Sequence, residues 1–294
     1  DEEVHFRSVE YLRSVAHKSD DVPFMLCASY HHPHEPFLPP QEYWDLYEGT
    51  EIEIPEFPAD LDKTYSLLDR NLNAYHGTRR CNLRDADGLR RLRRAYYGLV
   101  SYMDDKVGDL LDVLQETGLA DNTLVVFASD HGDMLCEKEM VQKRCFYEWS
   151  CRVPLIARFP DGWQAGTVCD TPVSLIDLLP TFCEIAGVKV EHEIDGKSLA
   201  PIWLKGVKGD PNRTLIWVRR EGNRRYQGRA YYAIRRGDWK LLQNTAFEPM
   251  QLVNLGKDPK EAKPTPPNGK IANELTRALM DHLLRAGKVP WQKP

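Results

Sequence analysis

Asn122-Thr123-Leu124-Val125-Val126-Phe127-Ala128-Ser129-Asp130-His131-Gly132-Asp133 decides how the rest of the chain is read. Its first eight residues are mostly apolar and β-branched, which predicts a buried strand. The stretch then ends abruptly in two carboxylates and an imidazole around a glycine. On a regular strand Asp130 and His131 would point to opposite faces, but Gly132 permits a turn in which both face one cation. Such a cluster alone more often closes a loop than binds a metal, so its meaning depends on what else reaches the same place.

Two more apolar runs flank it. Pro23 to Tyr30 predicts a strand buried on both faces, running into His31-His32-Pro33-His34-Glu35-Pro36, and Pro154 to Arg158 predicts a third short strand. Ligands of open α/β sheets collect beyond the carboxyl ends of strands, and two predicted strands deliver His/Asp clusters there. His32 and His34 alternate in one sense, with Pro33 and Pro36 fixing the backbone around them. Three imidazoles within four residues suit an anion or metal site. Lys143 and Arg144 could return positive charge to the same pocket, with solvated surface charge as the competing reading.

Between these strands the spacing predicts helices over residues 2–17 and from about Asp87 to Thr117, the latter closed by Gly118. Residues 31–88 read as a long excursion with short helices. The run Arg90-Arg91-Leu92-Arg93-Arg94 is expected to be the solvated face of the long helix. Thr171 to Ala186 reads as a helix interrupted near Pro180 and capped by Gly187. Alternating strands and helices predict an α/β fold with helices on both faces of the sheet. After Asp195-Gly196 the texture changes to short strands at Leu215–Val218, Ala230–Ile234, Trp239–Leu242 and Met250–Leu255, then a helix from Ala272 to Ala286. This predicts a small antiparallel sheet with one helix, and a boundary that divides the chain into residues 1–190 and a C-terminal α+β subdomain of residues 191–294.

Composition limits the partners. Lys and Arg number 39 against 44 Asp and Glu, and the net charge of −5 argues against a nucleic-acid partner. No apolar run approaches the roughly 20 residues a membrane span requires. Seven cysteines, none in C-x-x-C pairs, speak against a disulfide framework or a structural zinc site and favour a reducing compartment. The chain opens at Asp1-Glu2-Glu3 without an initiator methionine or signal-peptide pattern, so further sequence upstream is expected. The sequence leaves the oligomeric state open.

The segment Asp121 to Leu135, followed by Lys143 and then Arg152-Val153-Pro154-Leu155-Ile156, resembles the sulfatase family of the alkaline phosphatase superfamily. The likeness extends through His32-Pro33-His34-Glu35-Pro36, Tyr43-Trp44-Asp45-Leu46-Tyr47, Met103 to Gly108, Asp177-Leu178-Leu179-Pro180-Thr181, Arg235 to Leu241 and the closing Leu252 to Pro259. It implies an alkaline-phosphatase-like sheet with helices on both faces, here partial, followed by the small C-terminal antiparallel sheet with one helix. It further implies that Asp130 gives a carboxylate to one divalent cation, usually calcium, and that His131 stands where the next ligand is Asn or His. Because calcium prefers oxygen, a histidine there leaves manganese open. By the same resemblance Lys143 contacts the sulfate, and His34, with His32 as second choice, is the sulfate-binding histidine. The Pro-His-x-Pro and Tyr-Trp-Asp-Leu-Tyr segments are most like choline sulfatases and related phosphonate or phosphate ester hydrolases.

Departures from the family pattern are equally specific. The family's nucleophile is a cysteine in C-x-P-S-R or C-x-A-x-R, oxidised to formylglycine, and none of the seven cysteines has that context. Two early aspartates that complete the metal site are also lacking, so both features are expected upstream of Asp1. Met134-Leu135-Cys136-Glu137 replaces a more usual Leu-Gly-Glu. The cluster from Arg219 to Arg225, with Arg219, Arg220 and Glu221 as substrate-binding candidates, has two readings: recognition of an anionic sugar, or solvated charge. Three functions follow: hydrolysis of a small sulfate monoester by the complete protein, hydrolysis of a phosphonate monoester or phosphodiester on the same scaffold, or a non-catalytic fragment that binds or assembles. This chain alone is expected to be inactive, and in the two enzymatic readings its partner is the missing N-terminal part of the catalytic domain.

Overall fold

The computed structural model describes residues 1–18, 22–57, 65–77, 85–159, 165–220, 230–243 and 248–286. In chain order the helices are α1 (Glu2–Ala16), α2 (Gln41–Asp45), α3 (Leu67–His76), α4 (Ala86–Glu116), α5 (Glu148–Cys151), α6 (Leu178–Ile185), α7 (Ala200–Lys205) and α8 (Gly269–Ala286). The strands are β1 (Val125–Ala128), β2 (Leu155–Arg158), β3 (Thr214–Arg220), β4 (Ala230–Arg236), β5 (Trp239–Gln243) and β6 (Gln251–Asn254). They belong to two units that interleave in sequence. Asp1–Ala59, Leu72–Lys143 and Pro154–Trp163 form the first, and Asp60–Asn71, Arg144–Val153 and Gln164–Pro294 form the second. No helix of the described residues is long and apolar enough to cross a membrane.

In the first unit α4 is the beam on which the strand ends are mounted. Asp85 caps it by accepting the Gly88 amide at 2.6 Å, and Gly118 leaves it with φ of 71°. Val113 and Leu114 in its last turns join Leu12 of α1 and Ala120 in a core that also takes in Phe24, Leu26 and Val125. That one cluster fixes both the segment leading to the histidines and the strand leading to Asp130. At the other end of α4, Leu89 packs with Cys136 and Val141 and holds the loop beyond Asp133.

β1 pairs antiparallel with β2, Val125 opposite Arg158 and Ala128 opposite Leu155. Pro23 to Tyr30 takes no ladder partner among the described residues and is not buried on both faces. Its burial alternates: Phe24 and Leu26 face the core, whereas Met25 is 75% exposed. A continuous apolar run is compatible with either arrangement, because chain periodicity does not say how many faces are covered.

In the second unit β3-β4-β5-β6 form an antiparallel meander, with Ile234 opposite Leu241 and Leu241 opposite Leu252. Gly237, with φ of 55°, turns β4 into β5. Ala272, Leu275 and Leu279 place one face of α8 over Ile234, Leu241 and Leu252. The expected helix at Thr171 to Ala186 is shorter: a 3-10 turn covers Leu175–Asp177 and α6 begins at Leu178. Pro180 does not interrupt it. It lies in the first turn, where its missing N–H leaves no hydrogen bond unmade.

Asp177 fastens this region. Its carboxylate accepts two bonds from Arg213, at 2.5 and 2.6 Å, and the amides of Lys197 and Ser174, both at 2.8 Å. Burial alone would raise its pKa, but Arg213 and the two amides hold it below the usual carboxylate range. A carboxylate depressed in the fold contributes stability that is complete above its unfolded pKa of about 3.9 and is lost as pH falls through the folded value. Melting temperatures taken across that acidic window should therefore fall, and Asp177→Asn should flatten the fall. An equally steep fall in the variant would contradict this role.

Candidate functional site

Asp130 leaves the end of β1, and its Oδ1 accepts the His131 amide at 2.9 Å. His131 Nδ1 lies 2.7 Å from the carbonyl of Gly132, a contact only an N–H can make, so in the neutral ring Nε2 is the nitrogen left open. Nε2 stands 3.5 Å from Asp130 Oδ2. The turn at Gly132 thus brings together the carboxylate and imidazole that a regular strand would separate. A hard cation bound at about 2.3–2.6 Å places neighbouring ligand atoms about 3.3–3.7 Å apart, so these two atoms fit adjacent corners of one coordination shell. A backbone carbonyl fixing the tautomer is also what a ligating histidine uses. No group of three or more His, Cys, Asp or Glu side chains is gathered for a metal among the described residues. The two donors fit part of a cation site.

The histidine turn is fixed from outside and inside. Asp1 accepts the amides of His31 and His32, at 2.7 and 3.1 Å, and also contacts His32 Nδ1. Burial and the neighbouring His31 lower the His32 pKa. The carbonyl of Glu35 accepts from both His31 Nε2, at 3.1 Å, and His34 Nδ1, at 3.0 Å. His34 is thereby left with Nε2 as its open nitrogen, and the ammonium of Lys143 contacts it there. The His34 and His131 rings lie 5.9 Å apart, centroid to centroid. His34, not His32, meets Lys143. Lys143, His34, His131 and Asp130 form one continuous row within the first unit.

Lys143 arrives on an unusual loop. Leu135, Cys136, Lys138, Glu139, Gln142 and Arg144 are six non-glycine residues with φ between 41° and 97°. Each such residue costs roughly 1–2 kcal/mol of backbone strain, which surrounding contacts must offset. Asp133 Oδ1 accepts the amides of Leu135, at 2.8 Å, and Gln142, at 3.0 Å, and closes the loop at its neck. Burial raises the Asp133 pKa, Glu35 adding to the effect and the two amides and Lys143 opposing it. Gln142 in turn donates to the side chain of Glu35, tying the loop to the histidine turn. Cys136 takes φ of 75° and is fully buried.

Arg93 corrects the expectation of a solvated arginine run. It is only 7% exposed and donates to the carbonyls of Leu135 and Glu53, at 3.2 and 2.9 Å, and to Glu137 at 2.7 Å. A charge four residues after buried Leu89 was the available signal, since a buried guanidinium requires partners. Arg94 stacks over Trp44 at 4.3 Å.

In the second unit Arg219 is committed rather than free. It donates to the carbonyl of Arg144 and lies over the Tyr231 ring at 5.2 Å. Arg220 is exposed at the end of β3, and Glu221 falls outside the described residues. Burial pushes the Cys145 thiol to about 12 and the Cys151 thiol to about 11, so neither is a thiolate nucleophile at neutral pH.

The sulfatase family model matches residues 1–188, and the model of the N-sulphoglucosamine sulphohydrolase C-terminal region matches residues 136–288. The choline-sulfatase of Rhizobium meliloti (strain 1021) is 36% identical over 275 residues, which cover 89% of this chain and 50% of that protein. The arylsulfatase of Clostridium perfringens is 28% identical over 258 residues, covering 86% and 51%. The chain thus spans about half the length of these curated relatives. A structure solved with its substrate D-glucosamine-2-N,6-O-disulfate superposes with a TM-score of 0.78 at 20% identity, covering 99% of this chain and 71% of the other. The phosphonate monoester hydrolase of Agrobacterium radiobacter gives a TM-score of 0.71 at 24% identity, covering 96% and 60%. At these identities the structures establish the fold, an alkaline-phosphatase-like α/β arrangement with the small antiparallel sheet.

Proposed function

The chain belongs to the sulfatase family, and from that premise we propose that the full-length protein hydrolyses a small sulfate monoester at the row Lys143, His34, His131 and Asp130. The contact of the Lys143 ammonium with the open nitrogen of His34, one ring away from the His131–Asp130 pair, carries this reading. An anion entering there would meet Lys143, which can neutralise a non-bridging oxygen where charge develops in the transition state. His34 is oriented by the Glu35 carbonyl through Nδ1, so a proton exchanged with the leaving oxygen travels on Nε2. His32, its Nδ1 engaged by Asp1, anchors the turn.

Asp130 and His131 would hold a divalent cation, calcium in the first instance and manganese as the alternative that the imidazole favours. When bound, that cation supplies Lewis-acid polarisation of a sulfate oxygen. The nucleophile in this reading is a formylglycine on the remainder of the catalytic domain. Met25 at 75% exposure, Ile156 at 62% and Phe127 at 40% leave apolar surface on the strand segments, and this surface suits covering by that remainder. By itself the chain should be silent.

The same cations would neutralise phosphoryl oxygens. The fold shared with the phosphonate monoester hydrolase of Agrobacterium radiobacter keeps phosphonate or phosphate esters as the second reading. Steady-state hydrolysis of an aryl sulfate by the full-length protein, with and without a chelator, tests the proposal. Turnover that the chelator abolishes and calcium restores is expected. Absence of sulfate release at any metal concentration would refute it.

A further inference from the structure

The loop that carries Lys143 is strained. Six left-handed non-glycine residues between Leu135 and Arg144 must be kept in place by the contacts around them. One grip from outside the loop comes from α4, whose Arg93 reaches two of its residues. We propose that Arg93 is a positioning residue for Lys143, setting where its ammonium stands without touching substrate itself.

The route is continuous. Arg93 holds Leu135 by its carbonyl and Glu137 by its carboxylate, and it braces against the carbonyl of Glu53 on a separate segment. The chain neighbours of the gripped residues are paired across the loop to its returning arm: the Met134 amide donates to the Gln142 carbonyl at 2.7 Å and the Cys136 amide to the Met140 carbonyl at 2.8 Å. Lys143 is the next residue after Gln142. One helical turn from Arg93, Leu89 packs against Cys136 and Val141, one residue from each arm. A guanidinium is needed because three acceptors in different directions must be met from one planar fork, which an ammonium on a flexible stem meets only in part. The inference rests on the reading of Lys143 as the sulfate contact.

A double-mutant cycle in the full-length protein tests it. Arg93→Met should lower kcat/KM for an aryl sulfate by roughly 10–100-fold, the loss that follows a misplaced catalytic group. Arg93→Lys should recover part of that loss. In a Lys143→Ala background, Arg93→Met should change kcat/KM by less than about twofold, because two residues acting through one contact are not additive. A residue that merely supports the fold would instead multiply its loss onto that of Lys143→Ala, and this result overturns the proposal. An unchanged rate in Arg93→Met does the same. If Lys143→Ala by itself leaves sulfate cleavage intact, the reading of Lys143 fails first and the inference falls with it. Should Arg93→Met fail to fold, Arg93→Lys replaces it in the same cycle.

Discussion

Full-length protein carrying Lys143→Ala should hydrolyse an aryl sulfate with kcat/KM reduced by roughly 10²–10³-fold, the range found when one preorganised charge donor is removed from a transition state. The side chain is half-buried and its ammonium rests on His34 Nε2, and no salt bridge to it is found among the described residues. The histidine turn is fixed independently through Asp1 and the Glu35 carbonyl, and the loop neck through Asp133. The variant should therefore melt within a degree or two of the parent, since most substitutions away from buried networks change stability little. Lys143→Arg should recover only part of the rate, because a planar fork cannot reproduce a compact ammonium at one place. Loss of rate together with loss of folded protein would assign Lys143 to the fold instead.

A second large effect is expected in the other unit, where the chemistry is structural. Lys240 has no solvent exposure and its ammonium meets Glu148 Oε1 at 2.9 Å and Glu261 Oε1 at 3.0 Å. Arg235 reaches the other oxygen of Glu148 at 3.0 Å, and Glu261 accepts the Glu148 amide at 2.6 Å. Burial would lower the Lys240 pKa, but the carboxylates of Glu261 and Glu148 raise it, so the lysine stays charged. Lys240→Met keeps the stem and removes the charge, leaving a buried carboxylate without its cation. Breaking one side of such a pair costs about 3–5 kcal/mol, and at roughly 2–4 °C per kcal/mol the melting temperature should drop by about 10 °C. Adding Glu261→Gln should restore part of the loss, because the stranded charge is then removed as well. A melt unchanged by Lys240→Met would show that the network contributes no net stability.

The parts of this protein that were legible in the sequence are those whose side-chain period equals the period of the element. β3 to β6 and α8 follow from alternation and from Ala272, Leu275 and Leu279 at helical steps. α4 follows from its stripe and from Gly118. The same logic fails where an apolar run has no alternation: Pro23 to Tyr30 reads as buried on both faces, yet Met25 and Cys27 are exposed. Asp130 and His131 were legible because a glycine follows them at a strand end. The meeting of Lys143 with His34 was legible only by resemblance. It depends on left-handed backbone at Gln142 and Arg144, residues with no preference for that conformation, and at Gln142 the contacts of Asp133 and Glu35 hold it. Arg93 itself was hidden in a run of four arginines that looks uniform along the chain and is not uniform around the helix.

The most direct measurement is the pair of kcat/KM values for an aryl sulfate and the matching aryl phosphonate monoester, taken side by side on the full-length protein loaded with calcium. The account predicts that the sulfate is the better substrate and that Lys143→Ala removes most of that turnover. A phosphonate hydrolysed faster than the sulfate, or a sulfate rate indifferent to Lys143, would contradict it.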